Sequence, residues 1–185
     1  MKRTFIALPI SLDSQYDAMR AELRRRTVYD NIVWQAGNLS HLTLRFIGKT
    51  PEDKIPRIIT TLDTIAQQTP ALDLRINKLG VFGSHYAPQV LWLGIEPTPE
   101  LKLLVSQIET EVRALGFEPS QGNFVPHITL GRIKKIDNKN RFWKMFEELQ
   151  PSFHQEFHIS ELHFIRSRLE TSGPIYSSLH ISQLQ

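Results

Sequence analysis

His41-Leu42-Thr43-Leu44 and His127-Ile128-Thr129-Leu130 repeat one pattern, histidine, apolar, threonine, apolar, at an offset of 127 − 41 = 86 residues. Successive side chains on a strand point to opposite faces. His41, Thr43 and Arg45 are therefore expected on one face, with Leu42, Leu44 and Phe46 on the other. In the second copy His127 and Thr129 stand forward and Ile128 and Leu130 behind. One such tetrad is common at ordinary composition; two copies one repeat apart are a strong signal. Imidazole titrates near pH ~6.5, so close to neutrality one of two facing rings can be neutral and the other protonated. A base and an acid on opposite sides of a phosphorus atom suit an in-line displacement. The base takes the proton of the attacking hydroxyl or water, and the acid protonates the departing ribose oxygen. Two threonine hydroxyls can donate to the non-bridging oxygens, where negative charge gathers. A 2′,3′-cyclic phosphate fits such a site, because its strained ring already places the leaving oxygen and no metal is obligatory. Symmetry alone leaves open which histidine is acid and which is base.

The elements that would position these pairs are readable from periodicity. Tyr16, Met19 and Leu23 mark one face of a first helix ending near Arg24-Arg25-Arg26. Ile55, Ile58, Ile59, Leu62, Ile65 and Ala66 form a second helical stripe. It starts either at Thr50-Pro51-Glu52 or with Pro56 in the first turn of a helix capped by Asp53. A third helix runs from a Thr98 cap and Pro99 through Leu101, Leu104, Val105, Ile108, Val112 and Leu115 to a Gly116 stop. A fourth carries Phe142, Phe146 and Leu149 and ends at Pro151. Phe5 to Leu8 and Val90 to Ile95 read as fully buried strands. Leu72, Leu74 and Ile76 alternate as in a half-buried one. Leu162 to Arg166 and Ile175 to Ile181 flank a turn at Ser172-Gly173-Pro174.

These elements keep nearly the offset of the tetrads: the run at Phe5 returns at Leu91, and the strand around Asp73 returns around Ile159. The expected architecture is α+β, two pseudo-symmetric lobes of antiparallel strands with two helices each, enclosing a central cleft. The whole chain, 1–185, is expected to be one domain with an internal repeat at about 1–86 and 87–185, because halves of that size with no linker should share a core.

Composition bounds the rest. With 185 residues, 41% apolar and 22% charged, the chain is neither disordered nor collagen-like. No cysteine means no thiolate nucleophile, no Cys-zinc site and no disulfide framework. Twenty-two Lys plus Arg against 19 Asp plus Glu leave a net charge of +3, which permits a phosphate-bearing partner without implying a DNA-coating surface. The start Met1-Lys2-Arg3-Thr4-Phe5-Ile6-Ala7-Leu8-Pro9 imitates a signal peptide, but Pro9 interrupts the apolar run and Asp13 ends it. No stretch reaches the roughly 18 apolar residues of a membrane span. The expected address is the cytoplasm.

His41 to Gly48 and Pro126-His127-Ile128-Thr129-Leu130-Gly131-Arg132 resemble the paired HXTX motifs of the 2H phosphoesterase superfamily. Within it the chain is similar to the RNA 2′,3′-cyclic phosphodiesterases, also called 2′-5′ RNA ligases. Arg3-Thr4-Phe5-Ile6-Ala7-Leu8-Pro9, Leu79-Gly80-Val81-Phe82, Val90-Leu91-Trp92-Leu93-Gly94 and Gly173-Pro174-Ile175-Tyr176 extend the likeness over nearly the whole chain. The lead-in Asn38-Leu39-Ser40 departs from it, since many members pass from Asn-Leu straight to the histidine. The resemblance implies a hydrolase of RNA processing that opens RNA 2′,3′-cyclic phosphate ends, including those of tRNA fragments, to 2′-phosphomonoesters. No metal or other cofactor is implied, nor any membrane, and the expected state is a monomer. It makes His41 the proton donor and His127 the proton acceptor, with Thr43, Thr129 and Arg132 binding substrate; in reverse the site would join 2′-5′ ends. Related phosphodiesterase action on 2′-5′ oligonucleotides or nucleotide cyclic phosphates, and a non-catalytic RNA-end-binding module, are the alternatives.

Arg132 stands five residues after His127, so strict alternation turns it away, and a bulge near Gly131 is needed to bring it round. Arg45 has the parity of His41 but also reads as a solvated or inter-lobe charge. Trp34, Phe46, Tyr86 and Phe124 are able to stack on a base, with core packing the commoner role for each. His154, His158 and His163 fall in one late strand, where a metal role is disfavoured, and the Arg24–Arg26 run reads as a solvated helix end.

Overall fold

The two apolar runs become the strands against which the histidine tetrads lie. β1 (Lys2–Pro9) pairs antiparallel with β3 (His41–Thr50), and β5 (Pro88–Ile95) with β6 (His127–Lys135). A computed structural model defines these elements and describes residues 1–35, 40–150, 154–170 and 173–185. The expectations placed on Asn38-Leu39, Pro151 and the Ser172 turn lie outside the described residues. The first sheet has the order β3-β1-β8-β9, with β8 (Glu161–Glu170) and β9 (Gly173–Gln183). The second is β2-β6-β5-β4-β7, with β2 (Asn31–Trp34), β4 (Leu72–Gly83) and β7 (Gln155–Ile159). Every pairing is antiparallel. Fold class is thus α+β, as the alternation of helical and strand periods implies.

Each sheet takes two helices. α1 (Ser14–Arg26) begins where the Asp13 carboxylate accepts the backbone N–H groups of Gln15 and Tyr16, and it buries Tyr16, Met19 and Leu23. The Arg20 guanidinium donates to the Gln35 carbonyl beyond β2, and Arg26 pairs with Glu148 of α4 (Lys139–Leu149), which fixes both helices against the second sheet. α2 (Ile55–Ala66) packs on β8 and β9 of the first sheet, where Asp63 accepts from Ser182 and meets His180, each at 2.7 Å. α3 (Pro99–Ala114), capped by Thr98 as expected, lies against β3 and α2. A short 3₁₀ turn, Glu52–Lys54, precedes α2. Pro56 takes its place in the first helical turn, while Asp53 stays in the 3₁₀ turn and caps nothing.

Three expectations change. The single late strand is two, β7 and β8, divided at Ser160 and belonging to different sheets. The sheets also differ from the sequence halves: β4 leaves its own half to join β5, and β8 crosses to β1. Register further shows Ala7 opposite Thr43 and Trp92 opposite Thr129, so the two inner strands correspond at 92 − 7 = 85 residues, one fewer than the tetrads. A one-residue difference turns every side chain over. Phe5 therefore matches Val90 rather than Leu91.

One apolar cluster runs through both sheets and takes Leu42, Leu44, Ile128 and Leu130 from behind the tetrads. Each such fully buried side chain contributes about 1.5–3 kcal/mol, which anchors the forward-facing residues. Among the described residues no helix is long and apolar enough to cross a membrane.

Candidate active site

Both histidine strands bulge at the same step. In β3 the register passes from Thr43 opposite Ala7 to Arg45 opposite Ile6, leaving Leu44 as the extra residue. In β6 it passes from Thr129 opposite Trp92 to Gly131 opposite Leu91, leaving Leu130 extra. A bulge reverses the parity of every later residue on its strand. On β6 this carries the exposed Arg132 round to the face of His127 and Thr129, as a site role for it requires. On β3 it brings Phe46, 60% exposed, to the face of His41 and Thr43 and turns Arg45 inward to 7% exposure. The expected grouping of Arg45 with His41 and of Phe46 with the core is thereby overturned.

Each imidazole is walled by two aromatic rings. His41 lies 5.0 Å from the Phe5 ring and 5.2 Å, edge on, from Tyr176. His127 lies 4.8 Å, edge on, from Phe82 and 6.0 Å from Trp92. The Trp92 ring can lie flat on β4 because Gly80 has no side chain: a Cβ there would come within 2.3 Å of the indole. Gly94, opposite His127, similarly leaves room for the Lys78 stem, whose ammonium stands 5.7 Å from the Trp92 centroid. Phe82, Trp92 and Tyr176 lie in the flanking segments that carried the resemblance. Lys78 does not, and only its register beside Gly94 reveals it.

His127 Nδ1 is 2.7 Å from the Val125 carbonyl oxygen. A carbonyl only accepts, so Nδ1 carries the proton and Nε2 of the neutral ring keeps its lone pair. Burial, chiefly, holds the His127 pKa below its ordinary value; the Val125 hydrogen bond opposes this and the Arg132 charge adds to it.

Thr43 and His127 line one cleft of about 1080 Å³, walled by β3, α3 and the 116–125 loop. β3 and β6 come within 8 Å of each other, Cα to Cα. His41, Thr129 and Arg132 sit on the same strand faces but outside that cleft lining. Arg45 clasps its wall. Its Nε is 2.7 Å from Glu109 Oε2 on α3, an ion pair in which the N–H does not point along the contact, and its terminal nitrogens donate to the Phe46 and Glu118 carbonyls. Glu109 in turn accepts the backbone N–H and hydroxyl of Ser120, at 3.0 and 2.8 Å.

The remaining candidates divide. Phe124 lines the cleft half-buried, and Trp34 packs on the core beneath Arg24. Tyr86 is 80% exposed beside His85, well away from any core. His158 meets Asp73 and His163 meets Glu161, and among the described residues no three His, Asp or Glu converge as a metal set. Arg24 and Arg25 are exposed at the end of α1, as read, and Arg25 and Arg26 bond there to Glu22.

The same overall fold is found in the Thermus thermophilus protein TT0787, with a TM-score of 0.78 at 23% identity, covering 98% of this chain and 97% of that one. The chain belongs to the 2′-5′ RNA ligase superfamily, whose model matches residues 34–171. Within it the chain is 31% identical to the RNA 2′,3′-cyclic phosphodiesterase of Thermotoga maritima, over 99% of this chain and 96% of that one. It is 32% identical to that of Methanothermobacter thermautotrophicus, over 78% of each.

Proposed function

We propose that the chain, a single domain over 1–185 built from two diverged repeats, hydrolyses RNA 2′,3′-cyclic phosphate ends to 2′-phosphomonoesters. The observation that carries this reading is the state of His127, neutral through burial and with Nε2 left as an acceptor by the Val125 contact. Such a ring is a general base at neutral pH. His127 takes a proton from water as its oxygen attacks phosphorus; His41 gives a proton to O3′ as the P–O3′ bond breaks. Thr43 and Thr129 donate to the non-bridging oxygens, and the Arg132 cation offsets charge accumulating there. The relatives named RNA 2′,3′-cyclic phosphodiesterase support the substrate. With an RNA 5′-hydroxyl in place of water as the nucleophile, the same displacement would break P–O3′ and form a 2′-5′ linkage.

Both proton transfers fall to imidazole, so turnover should persist in EDTA. The test is incubation of RNA carrying a 2′,3′-cyclic phosphate with the protein and EDTA, resolving 2′- from 3′-phosphate. The reading predicts the 2′-phosphate. It also predicts rates lower by about 10²–10⁴ in His41→Ala and in His127→Ala; a 3′-phosphate product, or full activity in either variant, contradicts it.

A further inference from the structure

Period two places Lys78, Gly80 and Phe82 on one face of β4, and the contact of the Phe82 ring with His127 shows that this is the face of the site. Lys78 stands opposite Gly94, and Gly94 opposite His127. Glycine inside a strand weakens it and marks a close approach by another group. Here that group is the lysine stem: a Cβ at 94 would come within 2.7 Å of Lys78 Cγ and 2.9 Å of Cε. The side chain therefore lies across β5, toward β6, instead of extending off β4 into water. Direct cross-strand partners have Cβ positions about 4.5–5.5 Å apart, which leaves Lys78 Cε within about 8 Å of His127 Cβ.

Lys78 is exposed, and its ammonium stands 5.7 Å from the centroid of Trp92, whose ring lies 6.0 Å from that of His127. Among the described residues it has no salt bridge. The positions around it on this face, Gly80, Trp92, Gly94, His127 and Thr129, hold no carboxylate. Arg132 stands at the other end of the face, opposite Val90, so that cations flank His127 and Thr129 from two sides.

An ammonium led to a base and a hydroxyl, with no anion of the protein beside it, is a place for a phosphoryl oxygen. We infer that Lys78 is a further catalytic residue, whose ammonium meets a non-bridging oxygen of the cyclic phosphate beside His127 and Thr129. The inference rests on the phosphodiesterase reading above. The cyclic diester carries one negative charge, and more gathers on its oxygens as water adds to phosphorus and gives its proton to His127. Lys78 stabilises that added charge, so it acts on kcat and not on KM alone.

The chain has no cysteine, so the thiol introduced by Lys78→Cys can be modified selectively. Bromoethylamine turns it into an aminoethyl thioether, an ammonium on a side chain of lysine's length, whereas methyl methanethiosulfonate caps it without charge. The substrate is a nucleoside 2′,3′-cyclic monophosphate, which holds no phosphate besides the reacting one. Lys78→Cys should lower kcat about tenfold or more, aminoethylation should restore it to within about threefold of wild type, and the neutral cap should restore nothing. Undiminished kcat in Lys78→Cys, or equal kcat in the charged and neutral adducts, overturns the inference. Both adducts share one backbone substitution, so their difference reads the charge and not the fold. If wild type opens no cyclic phosphate, the phosphodiesterase reading falls and calorimetric binding of a nucleoside 2′-monophosphate still judges Lys78. Affinity about tenfold lower in the neutral adduct than in the charged one supports the phosphoryl contact, and equal affinity rejects it.

Discussion

At the scale of single residues, the proposed chemistry turns on how His127 is held. Arg132 stands on its face of β6, and its charge is one of the causes that lower the His127 pKa, after burial. Removing that charge should let the pKa rise toward its ordinary value. In Arg132→Gln the acid limb of kcat/KM should therefore move to higher pH, and kcat should drop by about 10²–10³, the usual effect of one lost transition-state donor. A pH–rate series checks both, and an acid limb that stays in place would separate Arg132 from the site. The histidines and threonines were legible in the sequence because period two needs only one strand. Arg45, Phe46 and Arg132 were not settled by it. Their faces depend on Leu44 and Leu130 being squeezed out of register against β1 and β5, which is a property of strand pairs.

At the scale of elements, the cleft wall depends on a clasp between β3, α3 and the loop after α3. Burial alone would raise the Glu109 pKa, but the hydrogen bonds from Ser120 and the charges of Arg45 and Arg113 more than offset it, and the carboxyl is held below its ordinary range. A lowered folded-state pKa means stability that is fully present above the unfolded carboxylate pKa and is lost as pH falls through the folded one. Glu109→Gln should accordingly cost about 1–3 kcal/mol at pH 7. The difference from wild type should shrink as the pH is lowered through the carboxylate range, measured by urea unfolding. An equal cost at pH 7 and at pH 3 would deny the clasp its charge. Helix limits were largely readable, since Thr98, Pro99 and Gly116 punctuate α3 with their own backbone preferences. Arg45 as the anchor of a loop 73 residues away was not, because no local pattern encodes such a contact.

At the scale of the whole molecule, the tetrads stand 86 residues apart, one in each half of the chain, yet the sheets are built across those halves. β4 supplies the neighbour of β5, and β8 that of β1, while one apolar cluster runs through both layers. Neither 1–86 nor 87–185 has a complete sheet of its own, so each expressed alone should lack a cooperative melt, and the full chain should unfold in one transition. A folded, independently melting half would contradict this. Exchange of β4 and β8 was hidden in the sequence because both strands show the same apolar alternation, and only pairing decides which sheet each joins. The exchange also ties the halves together about the histidine strands, which the proposed mechanism needs if a base on β6 and an acid on β3 are to serve one substrate.

The central claim is that two imidazoles divide the proton transfers. It is tested most directly by the pH dependence of kcat/KM on cyclic-ended RNA in EDTA for wild type, His41→Ala and His127→Ala. Wild type should give a bell, with its acid limb below the ordinary histidine value of about 6.5, because burial favours neutral His127. In the residual activity of His127→Ala the acid limb should vanish, and in that of His41→Ala the alkaline limb should vanish. A bell that survives intact in either variant would contradict it.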